Sequence, residues 1–162
     1  MELNPIGIAV PFFIGFLALE YWVASRRERG LHRLNDTFAN LSCGMGDQLI
    51  GLFLGVAVVG LYALIEGAVG LWDLSSSSLG VWLAAFFAVD FFYYWYHRFS
   101  HRVGIGWATH VVHHHSEEYN LAVALRQSWF SQFYSWVFYL PLAFAGVPWE
   151  VWVTCYSLNL IY

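Results

Sequence analysis

Histidine dominates the chemistry open to this chain, and it is concentrated: six of the seven histidines fall between His97 and His115. Neutral imidazole ligates iron, copper, nickel and zinc, so a cluster this dense asks for a metal. On a helix of about 3.6 residues per turn, His97 and His101 stand one above the other, with Asp90 and Tyr94 on the same stripe. A second helical segment would bring His110, His114 and Glu117 to one face with His113 beside them. His115 would then point about 140° away from His110.

The spacings thus define HxxxH (His97, His101) and HxxHH (His110, His113, His114) as ligand sets, with His115 a bystander. A structural zinc site is filled by four ligands and a catalytic one typically takes three. Five aligned imidazoles therefore fit two metals, or one metal with further ligands from elsewhere. The zinc-peptidase pattern HExxH needs a glutamate after its first histidine, where this chain has Arg98, and the ExxH of soluble di-iron bundles does not occur. A histidine-rich iron site in a membrane fits best.

The ordered motifs DxxYYxxHRxxH from Asp90, WxxHxxHH from Trp107, SEEYN from Ser116 and ALRQS from Ala124 resemble the fatty acid hydroxylase and sterol desaturase superfamily of membrane di-iron oxygenases. The resemblance runs from about Ala88 to the end, and His110 to Ser128 looks most like its alkylglycerol monooxygenase branch. It implies that His97, His101, His110, His113 and His114 ligate two iron ions, a di-iron centre. Asp90, Tyr93, Tyr94, Asn120, Arg126 and Gln127 match motif positions. The family carries later histidines beyond a further apolar hairpin, so a chain ending at Tyr162 is expected to be a single hydroxylase-type domain, residues 1–162, incomplete at its C-terminus and inactive alone.

The elements that must position these residues are written in the composition. The chain is 59% hydrophobic, 20% aromatic and only 11% charged, with nine tryptophans, far from an ordinary soluble domain. The fold class expected is all-α, a polytopic membrane helix bundle with a cytoplasm-facing histidine cluster. Pro5 to Ala24 is long enough to cross a hydrocarbon core of about 30 Å, with Tyr21 and Trp22 as an interfacial belt. No secretory leader is expected, because Met1 to Asn4 lack a basic region. Gln48 to Trp72 and Leu79 to Tyr96 supply two more spans, joined by a short loop containing Ser75 to Ser78.

All seven basic residues are arginine. Arg26, Arg27, Arg29 and Arg33 cluster after the first span, and Arg98, Arg102 and Arg126 surround the histidines. By the positive-inside bias both clusters belong in the cytoplasm and the amino terminus outside. The net charge of −4 gives no reason to expect nucleic-acid binding. His32 lies in the first arginine loop without ligand neighbours. Cys43 and Cys155 show no metal spacing and need not pair.

Polar residues inside the spans divide between site and scaffold. Asp90 lies about 10 Å before His97 along a helix, too deep to share its metal. It either accepts an N–H from a ligating imidazole or makes an interhelical hydrogen bond. Tyr93 and Tyr94 are site wall or interface belt. Glu66 reads as a structural partner or as snorkelling to the interface. Gly104 and Gly106 break the first ligand helix from the second, letting Trp107 to Ser116 fold back over the membrane surface. Glu117 could orient an imidazole. Trp129 to Val147 and Trp149 to Tyr162 form a hairpin around Pro148, and Gly51 with Gly55 forms a GxxxG pair compatible with a homodimer.

The expected function is iron-dependent, O2-using lipid monooxygenation, hydroxylating an alkyl, acyl or sterol-like chain of a membrane lipid. The resemblance implies a pterin or an electron-transfer protein as external reductant, consistent with the lack of a nucleotide-binding glycine motif. Desaturation is a close variant of the same chemistry. The competing reading is a non-catalytic metal-binding membrane protein, a zinc or copper transporter or sensor, which would need polar residues reaching through the bilayer; only Asp90 and Glu66 qualify.

Overall fold

A computed structural model describes residues 5–27 and 33–161. Arg29 and His32 of the basic loop, like Met1 to Asn4, lie outside them. Every regular element among the described residues is helical: α1 (Pro5–Arg26), α2 (Leu34–Val69), α3 (Leu79–Arg102), α4 (Gly104–His110), α5 (Gln132–Ser135), α6 (Leu140–Ala145) and α7 (Trp149–Asn159), with 3-10 turns at Leu121–Leu125 and Trp136–Tyr139. Three of these, α1, α2 and α3, are long and apolar enough to cross a membrane. Their faces leave Phe12, Phe16, Phe53, Val56, Leu64 and Phe87 exposed, side chains that only lipid would solvate favourably.

The expected second span began at Gln48, yet α2 begins at Leu34. The added turns hold two polar residues, Asp36 and Asn40. Both find partners, so the helix carries them without loss. At the other end, the apolar run Trp129 to Val147 is not one helix. It breaks into α5, a 3-10 turn and α6, with Pro141 in the first turn of α6 and Gly146 closing it.

The chain forms two compact units, one of residues 1–51 and 100–131, the other of 52–99 and 132–162. In the second, Tyr62, Ala85, Val89, Tyr139, Leu142, Ala143, Val147, Val151, Trp152 and Cys155 form the buried core. Tyr62 stacks on Trp152 with ring centres 4.2 Å apart and donates its hydroxyl to the Val147 carbonyl at 3.1 Å. The turn before α7 is tight. Gly146 has φ 82, the left-handed region that favours glycine, and a Cβ there would lie 2.0 Å from the Trp72 carbonyl oxygen. Glu66 accepts the Trp149 N–H at 3.1 Å, capping α7, which makes it the structural partner expected of it. Asp90 of α3 accepts the Asn159 amide of α7 at 2.7 Å.

In the first unit, Glu20 of α1 accepts the Leu121 N–H at 2.9 and 3.1 Å. Trp129 donates its indole N–H to the Cys43 carbonyl at 2.9 Å. It can lie there because Gly46 has no side chain: a Cβ would come within 2.3 Å of the indole ring.

Candidate metal centre

The first ligand helix ends where the glycines predict. α3 stops at Arg102, Val103 is extended (φ −111, ψ 128), and α4 restarts at Gly104. This break lets α4 fold back so that His110 approaches His101.

Beyond His110 the structure departs from the expected helix. His113 N–H bonds the His110 carbonyl at 3.0 Å, His114 the Val111 carbonyl at 3.0 Å, and His115 the Val112 carbonyl at 3.3 Å. These bonds span three residues, the pattern of a 3-10 turn, and α4 ends at His110. Glu117 therefore does not continue the histidine face. It is exposed and paired with Arg33 at 2.7 Å.

The turn still gathers the imidazoles. The ring centres of His101, His110 and His114 form a near-equilateral triangle, with sides of 4.8 Å (His101–His110), 4.9 Å (His101–His114) and 5.0 Å (His110–His114). His113 lies 5.2 Å from His114 and 5.6 Å from His110. His97 stands one turn before His101 on the same continuous helix, with Tyr93 against its ring at 5.7 Å. Trp107 stacks on His114 at 5.8 Å and borders His101 at 5.7 Å.

This spacing of imidazoles is compatible with metal binding. Imidazoles bound through nitrogens at about 2.1 Å from one ion have ring centres roughly 4.5–5.2 Å apart at octahedral to tetrahedral angles, and the triangle falls within that range. The electrostatics agree. Lost hydration, and then the neighbouring His113 and His101, hold the His114 pKa below the ordinary histidine value, favouring the neutral form that ligates. His113 Nδ1 lies 3.1 Å from the Arg126 carbonyl oxygen. A carbonyl only accepts, so Nδ1 carries the proton and Nε2 keeps the lone pair of the neutral ring.

The other expected residues have different surroundings. Asp90 accepts an interhelical hydrogen bond from Asn159. Tyr94 accepts from Arg98 at 2.8 Å and lies half exposed. Asn120 is buried, and its side chain caps the 3-10 turn by accepting the Ala122 N–H at 3.0 Å. Gln127 is exposed and donates to the Ala124 carbonyl at 3.1 Å. His115 is exposed and, among the described residues, stands outside the ring cluster.

Sequence reasoning named Arg126 as a motif position but missed its role in anchoring the histidine turn and its partners Asp36 and Asn40. Arg126 donates from Nε to the Val112 carbonyl at 2.8 Å and from its guanidinium to Asn40 Oδ1 at 2.8 Å, and pairs with Asp36 at 3.5 Å. Ser116, which follows the turn, donates to Asp36. The available signal was the Asp36–Asn40 pair at helical i, i+4 spacing, two polar side chains on one face of a mostly apolar helix.

The helices and this cluster define a membrane-type helical protein with a histidine-lined site compatible with metal. The fatty acid hydroxylase family model matches residues 82–162, and the chain belongs to that family. It is similar to alkylglycerol monooxygenase of Danio rerio, 41% identical over 97% of this chain and 35% of the relative. The alkylglycerol monooxygenase of Homo sapiens is 40% identical over 95% of this chain and 35% of the relative, and that of Xenopus tropicalis 39% identical over 95% and 34%. The chain thus spans about a third of the length of these relatives. No solved structure matches it.

Proposed function

We propose that this chain carries the metal-binding part of an iron-dependent lipid monooxygenase, one hydroxylase-type membrane domain acting on the alkyl chain of an ether-type glycerol lipid. The observation that carries the reading is the His101–His110–His114 triangle, with sides of 4.8 to 5.0 Å, in a chain of the fatty acid hydroxylase family. The names of the relatives supply the substrate class.

In this reading His97, His101, His110, His113 and His114 hold a di-iron centre. When bound, the iron supplies O2 activation, with electrons from a pterin or an electron-transfer protein. The chain's own residues orient and shield. The Arg126 carbonyl fixes the His113 tautomer, and the Trp107 ring covers one flank of His114 and His101. The arginines on both sides of the cluster support a position at the cytoplasmic surface, where reductant and protons are available.

Metal analysis of the protein extended past Tyr162 and purified in lipid, with O2-dependent turnover of an alkylglycerol, tests the proposal. Two irons per chain and hydroxylated product are expected. Zinc or copper with no O2 consumption would favour a metal transporter or sensor.

A further inference from the structure

We propose that Asp36, Asn40 and Arg126 form a positioning clamp that sets the geometry of the metal site by holding the His110–His114 turn from outside. The inference rests on the reading that this cluster binds metal. The turn needs such help, because His113 and His114 stand beyond the end of α4, on three-residue backbone bonds of poorer geometry than an α-helix provides.

Arg126 grips the turn twice. Its Nε–H holds the Val112 carbonyl at 2.8 Å, and its own main-chain carbonyl lies 3.1 Å from His113 Nδ1. One residue thereby fixes both the backbone just before His113 and the rotation and tautomer of the His113 ring. Metal-bound histidine usually gives its second N–H to such an acceptor.

Arg126 is in turn fixed by α2. Its guanidinium meets Asn40 Oδ1 at 2.8 Å and Asp36 at 3.5 Å, and Asp36 also takes the Ser116 hydroxyl beyond the turn. The Asp36 and Arg126 side chains are only 11% and 15% exposed, and Asn40 is fully buried. These groups have given up most of their water, so each needs the others as partners. The guanidinium fork can serve Val112, Asn40 and Asp36 together. A lysine ammonium, a point charge on a flexible stem, cannot reproduce that planar arrangement. Arg33 makes the contrasting pair: it meets Glu117 and Glu118 at 2.7 and 3.1 Å but is itself 65% exposed.

The test is a titration of the metal-free full chain in nanodiscs with Fe(II) and with Co(II), whose absorption reports ligand geometry. Arg126→Lys and Asp36→Asn are expected to weaken binding by roughly 10- to 100-fold and to shift the cobalt spectrum, while Arg33→Gln matches the parent. A merely structural network would instead lower the melting temperature of the metal-free variants and leave affinity and spectrum at parental values, which would overturn the clamp. Should Arg126→Lys fail to fold, Asn40→Leu, similar in size and unable to accept the guanidinium bond, carries the same two outcomes. If the parent itself binds neither metal, the metal-site reading falls and the clamp with it; parental affinity in the variants sinks the clamp alone.

Discussion

His101 and His110 hold their ring centres 4.8 Å apart although they belong to different helices, because the chain breaks at extended Val103 and folds back. Neither helix makes the site alone. The break between α3 and α4 is as much part of the site as the imidazoles.

Alanine at His101, His110 or His114 removes one corner of the triangle and is expected to abolish most metal binding in the full chain. His115→Ala, on an exposed ring outside the cluster, should keep metal content and turnover near parental values. Metal per chain, measured by elemental analysis, decides. Equal losses at His114 and His115 would show that the turn is threaded differently.

Asp90→Asn keeps an amide oxygen that can still accept from Asn159, so it is expected to leave metal content unchanged. Asp90→Leu deletes the acceptor that meets Asn159 at 2.7 Å and should lower stability by about 1–3 kcal/mol. Thermal unfolding followed beside metal analysis separates the two readings of this residue. Metal loss in Asp90→Asn would restore its link to the site.

Gly146→Ala combines two penalties, a left-handed backbone and a Cβ driven to 2.0 Å from the Trp72 carbonyl oxygen. The conformational part alone costs about 1–2 kcal/mol, and the clash adds more because a backbone atom must shift. The variant is expected to aggregate on heating well before the parent in a thermal shift assay. Parental behaviour would mean that the turn relaxes freely.

Single cysteines at Ser76 and at Arg102 flank α3, whose 24 residues rise about 36 Å, enough to cross a bilayer. In the topology proposed for the site, an impermeant thiol reagent labels Ser76→Cys from outside and Arg102→Cys only after permeabilisation. Labelling of both from one side would remove α3 as a span.

Much of this was legible in the residues themselves. The three spans follow from apolar length, and the break after Arg102 from Gly104 and Gly106. The start of α2 was hidden because hydropathy counts Asp36 and Asn40 as polar without knowing their partners, which lie far along the chain at Arg126 and Ser116. The grouping of His110, His113 and His114 was found by assuming an α-helix, whereas the chain uses a 3-10 turn. The residues converge either way, because positions three and four apart lie near one another in both. Glu117 shows where the assumption mattered: a longer α-helix would have kept it with the histidines, and the turn sends it to Arg33. Within Trp129 to Val147, periodicity alone gave no warning that so apolar a run would be broken into short pieces.

The unbroken course of α3, carrying Asp90 at one level and His97 and His101 at another, makes residue number itself a design variable. One inserted residue between Asp90 and His97 would rotate everything beyond it by about 100° and advance it by about 1.5 Å. Asp90 would keep Asn159 while both histidines swung off their face, with no side chain replaced. The chain should therefore reject length changes between Phe91 and Tyr96, a spacing rule that a catalogue of point substitutions would not reveal.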